Sequence, residues 1–428
     1  RNLAVVRQGE YEALADRVST DRWKPDFGPA EFNARAGATA VGARQFLIAY
    51  NVNLNTTSSR RANAIAFDVR EKGRIKRGGD GLTGPVIKDD KGEPVWEPGM
   101  LKHVKGIGWF IEEYGVAQIS MNLTNIQETP VHVAFDACDQ RARARGVRVT
   151  GSELVGLIPL QAMIEAGKHY LRKQNRSLGV SDRELIKIAV KSLGLDDLYP
   201  FNPDEKIIEY AIAKADTSKK LVDMTLADFM WETASESKAP GGGSVSAYVG
   251  ALGAALAAMV ANLSSHKRGW DDRWEEFSDW AVRGKKCHDE LLRLVDADTD
   301  AFNAVMEAFG LPEGDAEEKS AKAAAIEQAT IGAIEVPFRA MEVAYESMEI
   351  AEGMANIGLE ASVSDAGVAA LCARSAVMGA FLNVKINAAE LENEQKKQDF
   401  ISRGEALQQK AIGKETAILE IVNQKIGL

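Results

Sequence analysis

The sequence predicts a chain of two unlike halves, an α+β layer followed by an all-helical bundle. Three observations carry that reading. Strand-like and helix-like apolar runs alternate between residues 45 and 156. Proline, lysine and aspartate accumulate around 200 to 224 while periodicity weakens. From about 225 onward almost every segment is alanine-rich with a helical period.

In the first half, "QFLIAYNVNL" is the compact apolar run of a buried strand. "SSRRANAIAFDVREKG" is a helix opened by serine and closed by Gly73. A polar stretch with glycine and proline, 74 to 102, follows as a surface insertion. "KGIGWFIEEYGVAQISMNL" holds two β-rich runs around Glu113, Tyr114 and Gly115, which is a hairpin signal. Helical "VHVAFDACDQRARARG" and the strand "VRVTGSELVGLIP" complete the series. The order βαββαβ is the split βαβ, ferredoxin-like arrangement, a sheet with two helices on one face. Two more helices, "LQAMIEAGKHYLRKQ" and "DRELIKIAVKSLG", precede "DLYPFNPDEK". In the second half, turns at "PGGGS", "HKRGW", "GLPEGD" and "GLEASVSD" separate helices long enough for a bundle.

A chain of 428 residues is too long for one ordinary domain. With 45% hydrophobic and 27% charged residues it has a soluble globular composition, and a net charge of -10 argues against nucleic acid as the main partner. Cys138, Cys287 and Cys372 show no C-x-x-C spacing, and His103, His132, His169, His266 and His288 form no H-E-x-x-H pair. Neither a disulfide framework nor a metal site is expected, and a reducing cytoplasm fits. Arg1 in place of methionine suggests a portion of a longer chain.

"KAPGGGSVSAYVGALGAALAAMVANL", residues 238 to 263, is not a phosphate loop, because no lysine follows "GGGS". Residues 240 to 265 hold no charged side chain, so length and composition permit a membrane span. Yet eleven of the twenty residues from 244 to 263 are Ala, Gly or Ser, with no flanking aromatic belt and no second span expected. The reading adopted is a central bundle helix whose small faces admit close neighbours, including a second subunit. Its glycine-rich start leaves backbone N–H groups free for a carboxylate or phosphate and lets a flat ligand approach the chain.

Within "ELLRLVDADTDAFNAVMEAFG" the apolar stripe runs Leu291, Val295, Phe302, Met306 and Phe309, and Asp298 fills the helical step between Val295 and Phe302. Burial of a carboxylate raises its pKa toward the range useful for proton transfer. Two readings are open: an acid-base group, or a carboxylate that pairs with an arginine or caps a neighbouring helix. Asp296 and Asp300 fall on other faces as solvated charges. Farther on, Ser364 and Asp365 are expected to cap a helix on which Asn383 and Asn387 stand four apart. Those amides either hold a heterocycle or bond each other and solvent.

Together, "KAPGGGSVSAYVGALGAALAAMV", "LVDADTDAFNAVMEAFGLP", "EVPFRAMEVA" and "SDAGVAALCARSAVMGAFLNVKIN" resemble the cyclodeaminase/cyclohydrolase family of folate enzymes. "DFGPAEFNARAGATAVGARQFLIAYNVNL", "VKGIGWF", "GSELVGLIPL" and "LGLDDLYPFNPDEKIIEY" are similar to the carboxyl-terminal part of glutamate formimidoyltransferase. In this order they resemble the bifunctional formimidoyltransferase-cyclodeaminase family over nearly the whole chain. The resemblance implies a tail of the transferase amino-terminal subdomain at 1–46, the ferredoxin-like carboxyl-terminal subdomain at 47–205, a linker at 206–224 and the cyclodeaminase helical domain at 225–428. It implies that most of that amino-terminal subdomain, with the family's catalytic histidine, is missing, since none of the five histidines matches the motif. The chain as given is then not expected to run the transfer step.

The implied activity is a cytoplasmic step of histidine degradation: a cyclodeaminase closes 5-formiminotetrahydrofolate to 5,10-methenyltetrahydrofolate and ammonia, with formimidoyltransferase activity in the full-length protein. Asp298 matches the family's acid-base carboxylate. Folate contacts are implied at Gly28, Pro29, Ala30, Glu31, Phe32, Asn33, Ala34, Arg35, Ala36 and Gly37, where Arg35 would meet a glutamyl carboxylate. Further contacts are implied at Gly241, Gly242, Gly243, Ser244 and Asn383. Polyglutamylated tetrahydrofolate is the one-carbon carrier, with no metal, and the assembly is a homo-oligomer built from dimers. Basic clusters "SSRRAN", "RIKRGG" and "RARARGVR" either attract the polyglutamate tail or are solvated faces. The rival readings are methenyltetrahydrofolate cyclohydrolase and a non-catalytic folate-binding or scaffolding module.

Overall fold

The computed structural model describes residues 3–79, 84–215 and 220–427. Arg1, on which the expectation of a longer chain rests, lies outside the described residues, as do 216–219 of the expected linker.

Strand β1 (Ile48–Leu54) alternates as a half-covered strand must. Ile48, Tyr50, Val52 and Leu54 enter the core, while Asn51 and Asn53 face the other way into a buried polar layer. Helix α1 (Ser59–Val69) starts where the Ser58 side chain accepts the Arg61 N–H, and it buries Ala62, Ile65, Ala66 and Val69. β2 (Val104–Ile111) and β3 (Val116–Leu123) form the expected hairpin, its turn relying on Gly115 at φ +65°. α2 (Val131–Arg143) and β4 (Val149–Val155) complete a four-stranded antiparallel sheet of order β2-β3-β1-β4. This is the ferredoxin-like arrangement anticipated from the βαββαβ order. α3 (Leu160–Lys173) and α4 (Asp182–Leu193) pack beside it. The insertion at 74–102 carries a short antiparallel pair, Arg74–Ile75 with Trp96–Glu97.

Within the stretch read as a linker, helix Ile208–Ala215 and the turn Leu221–Asp223 are ordered. Just before that helix, fully buried Ile207 forms a bridge with Ile158. An apolar residue that docks on the first domain gives this segment its structure.

The second half is five long helices: α5 (Gly242–Ser265), α6 (Trp274–Phe309), α7 (Ala316–Ile357), α8 (Val363–Ala389) and α9 (Glu394–Ile426). The break before α9 was not foreseen; Asn393 makes it by accepting the Gln395 and Lys396 N–H groups. Ser364 and Asp365 do not cap α8 as expected. A 3-10 turn, Glu360–Ser362, runs directly into the helix and places both residues in its first turn.

Small residues on α5 do allow close approach, but the partners belong to the same chain. A Cβ on Gly253 would sit 2.9 Å from the Ala369 carbonyl oxygen of α8, and one on Gly284 of α6 would sit 2.8 Å from the Ala258 Cβ of α5. These small residues thus receive α6 and α8 of the same bundle. Among the described residues two helices, Gly242–Ser265 and Glu360–Ala389, are long and apolar enough to cross a membrane, so the expectation of a single such segment is corrected. More than half of the apolar window of the first is buried against neighbouring helices, and half of the second.

Pro337 lies buried inside α7. Proline cannot donate to the carbonyl four residues back, so the Ala333 carbonyl is left without its helical partner. The Asn387 Nδ2 of α8 donates to that oxygen at 2.7 Å. Asn387 is thus a tie between helices.

The two halves meet at residues 178–182. The Leu178 N–H donates to Ser278 Oγ at 3.0 Å, Asn262 Nδ2 donates to the Gly179 carbonyl at 2.9 Å, and Lys285 pairs with Asp182 at 2.9 Å. A Cβ on Gly179 would fall 2.3 Å from the Ala281 carbonyl carbon. Only glycine admits that contact.

Candidate active site

The first turn of α5 has a shortage of acceptors. The first N–H groups of a helix have no intrahelical partner, and Gly241, its N-cap, offers no side chain. The Asp298 carboxylate of α6 fills the gap: its Oδ2 accepts the Ser244 N–H at 2.8 Å and the Ser244 hydroxyl at 3.0 Å. Of the two readings left open, helix capping is thus realised and pairing with arginine is not, since Asp298 makes no ion pair among the described residues. Capping leaves the acid-base reading intact. Burial pushes the Asp298 carboxyl above its ordinary pKa, against the downward pull of the two Ser244 hydrogen bonds.

Glycine is required where the carboxylate rests. A Cβ on Gly243 would lie 2.0 Å from Asp298 Oδ1 and 2.4 Å from Cγ. One on Gly242 would lie 3.3 Å from Asn383 Nδ2. That amide donates to the Gly379 carbonyl at 2.9 Å, and its oxygen lies 3.6 Å from the same Cβ position on Gly242. Gly242, Gly243, Ser244, Asp298 and Asn383 are therefore brought together. Gly241 stands at the edge with nothing within 4 Å of its missing Cβ.

Residues 28–37 are not brought to this cluster. They form an exposed turn in which Asn33 Oδ1 accepts the Arg35 and Ala36 N–H groups, and Tyr11 donates to the Ala34 carbonyl. Among the described residues, no hydrogen bond, ion pair or ring contact joins Gly28 to Gly37 with the bundle. Asn383 and Asn387 do not bond each other either; each donates to a backbone carbonyl.

The apolar stripe that framed Asp298 is only half buried. Leu291 and Val295 are in the core, but Phe302, Met306 and Phe309 are 41%, 46% and 54% exposed. Asp298 stands beside the first turn of α5, and beyond it α6 continues without that helix alongside. Asp296 is likewise not a solvated charge: its Oδ1 accepts the Leu221 N–H at 2.7 Å, and burial raises its pKa.

A second polar cluster escaped the sequence reading. On the sheet face away from α1 and α2, Glu153 accepts hydrogen bonds from Asn51 at 3.0 Å, Gln118 at 3.1 Å, Tyr199 at 3.2 Å and Tyr114 at 3.3 Å. Gln118 is fully buried and its Oε1 has no partner. The alternation of polar residues along β1 and β3 was the available signal. Among the described residues no group of three His, Cys, Asp or Glu side chains is arranged to hold a metal ion.

A part-buried carboxyl of raised pKa, in no ion pair among the described residues and set against bare glycine backbone, is suited to proton transfer, and here it sits in a helical domain fused to a ferredoxin-like one. Comparison with known proteins gives the family. Residues 225–406 match the formiminotransferase-cyclodeaminase model, 49–213 the formiminotransferase domain, and 1–44 the N-terminal subdomain of that domain. The expectation that most of this N-terminal subdomain is missing is not borne out, because its model matches residues 1–44. Formimidoyltransferase-cyclodeaminase of Mus musculus is 37% identical over 411 residues, 96% of this chain and 72% of the relative. Methenyltetrahydrofolate cyclohydrolase of Methylorubrum extorquens is 35% identical over 203 residues, 47% of this chain and 98% of that protein. The solved structure of formiminotetrahydrofolate cyclodeaminase from Thermotoga maritima aligns with a TM-score of 0.42 at 25% identity, covering 47% of this chain and 98% of that one. The chain belongs to the formimidoyltransferase-cyclodeaminase family.

Proposed function

We propose that the chain is a folate-dependent one-carbon enzyme of histidine degradation whose helical domain converts 5-formiminotetrahydrofolate to 5,10-methenyltetrahydrofolate and ammonia. The single observation that carries this reading is Asp298, part-buried against the start of α5, raised in pKa and in no ion pair among the described residues. In the protonated substrate the folate N10 lone pair attacks the formimino carbon, forming the N10–C bond as the C=N π pair moves to the outer nitrogen. Asp298 takes the proton from N10 and returns it to that nitrogen. The C–N bond then breaks, ammonia leaves with the pair, and the methenyl cation remains. One carboxyl serves both transfers because both sites lie within a single bound molecule.

The same reading assigns formimidoyltransferase chemistry to the protein's other half, where the polar sheet face around Glu153 supplies donors and acceptors. It takes tetrahydrofolate as the carrier, polyglutamylated and without a metal, with Gly242, Gly243 and Asn383 lining the folate at the start of α5 and Gly28–Gly37 acting at the transferase half. It places the enzyme in the cytoplasm as a homo-oligomer. Exposed Leu226, Met230 and Trp231, together with exposed Phe302, Met306 and Phe309 on α6, are the residues we assign to subunit contact. Light scattering tests that assignment; a monomer of full activity refutes it.

Methenyltetrahydrofolate cyclohydrolase is the second reading, favoured by the similarity to such an enzyme over 203 residues. Incubation with 5-formiminotetrahydrofolate, following methenyl absorbance and ammonia, decides between them. Equal amounts of both products are expected, and Asp298→Asn should abolish both. Hydrolysis of added methenyltetrahydrofolate with no ammonia released from the formimino substrate would establish the cyclohydrolase instead.

A further inference from the structure

Ser244 was expected to touch folate, but its polar atoms are spent on Asp298. The side chain is fully buried. Ser246 Oγ donates to the Gly242 carbonyl at 2.6 Å and Ser264 Oγ to the Val260 carbonyl at 2.7 Å, each four residues back, while Ser265 Oγ donates to the Trp274 carbonyl at 3.1 Å. Ser244 instead turns its hydroxyl to the same oxygen that its N–H already holds. Two donors from one residue on one oxygen fix both the position and the plane of a carboxyl group.

We propose that Ser244 is a positioning residue: it commits Oδ2 of Asp298 to accepting two hydrogen bonds and leaves Oδ1, above the bare backbone of Gly243, as the oxygen that exchanges the proton. The inference rests on the reading of Asp298 as the acid-base group. A proton on Oδ2 would displace one of the two donors from its lone pairs, whereas Oδ1 has no such competitor. The absence of a Cβ at Gly243 then has a chemical consequence as well as a steric one, since it is Oδ1 that lies closest to that position. Ser244 also opposes burial. Its hydrogen bonds favour the charged carboxylate, so their loss raises the Asp298 pKa further.

The test compares wild type, Ser244→Ala and the isosteric Ser244→Cys, whose thiol is a weak donor. Infrared titration follows the protonated carboxyl band of Asp298, assigned by its loss in Asp298→Asn. Its midpoint is expected to rise by about one pH unit in Ser244→Ala, as loss of a hydrogen bond to a charged group implies, and by less in Ser244→Cys. The acidic limb of the kcat profile should move upward by the same amount with KM unchanged. An unmoved midpoint in both variants overturns the proposal, as does a rise in KM with the limb in place, which would make Ser244 a substrate contact. If Ser244→Ala does not fold, Ser244→Cys carries the comparison. A midpoint that moves in a protein with no cyclodeaminase turnover upholds the positioning role and refutes the assigned reaction instead.

Discussion

The glycines at the start of α5 make a graded perturbation. Replacing Gly241, Gly242 and Gly243 by alanine one at a time adds the same methyl group at three successive positions. Around Gly241 nothing lies within 4 Å; at Gly242 the new Cβ meets Asn383 Nδ2 at 3.3 Å; at Gly243 it would overlap Asp298 Oδ1 at 2.0 Å. The last cannot be relieved by a small rotation, because the carboxyl carbon is only 2.4 Å away and the other oxygen, held by the Ser244 N–H, is 2.6 Å away. Asp298 must leave its place. The variant then forfeits the acid-base contribution, typically about 10²- to 10⁴-fold in rate. Stability falls as well: alanine gains about 1 kcal/mol in a helix over glycine, but the two lost Ser244 hydrogen bonds to the carboxylate cost about 1.5 to 3 kcal/mol each. Single-turnover formation of methenyl product, with thermal denaturation alongside, measures both quantities. Gly241→Ala should keep near wild-type kcat, Gly242→Ala should lose part of it, and Gly243→Ala should fall by at least about 10². The reasoning is refuted if Gly243→Ala stays within tenfold of wild type, or if Gly241→Ala is equally inactive.

Other parts of the structure make separate claims. Asn387→Ala should destabilise the protein by about 1 to 3 kcal/mol in urea unfolding, because it strands the Ala333 carbonyl that Pro337 cannot serve. Pro337→Ala in the same chain restores the helical N–H and should recover part of the loss, and strict additivity of the two changes would refute the pairing. Gly179→Ala forces a methyl group into the Ala281 backbone, so calorimetry should resolve two transitions where wild type shows more closely coupled melting of the two halves. His132, buried against the stacked His169 ring at 4.4 Å, has its pKa lowered to about 4, first by burial and then by His169. A base depressed in the folded state contributes stability above its unfolded pKa near 6.5 and loses it as pH falls toward 4. His132→Gln should flatten stability over that window, whereas an unchanged pH slope would show that His132 is not the group responsible.

What the sequence made legible was whatever an apolar period encodes. The four strands, α1 to α4 and most bundle helices follow from runs such as "QFLIAYNVNL" and from a cap such as the serine that opens α1, because period and cap are properties of neighbours in the chain. Asp298 was legible for the same reason in reverse, as a charge where the period called for an apolar residue. Its surroundings were not. The stripe past Asp298 looked continuous through Phe309, yet its burial depends on α5 being alongside, and nothing in "FNAVMEAF" records where another helix begins. Asn387 and Pro337 are each readable alone, as an amide on an apolar helix and a proline within one, but the meaning of both lies in a carbonyl on a different helix. Ser244 shows the limit most sharply. Following three glycines it reads as part of a ligand loop, and only the position of α6 turns its hydroxyl onto a carboxylate 54 residues away. The identity of the acid is thus a local fact of the sequence, whereas its protonation is set by contacts between elements. For that reason the active-site reading is tested at the residues around Asp298 as well as at Asp298 itself.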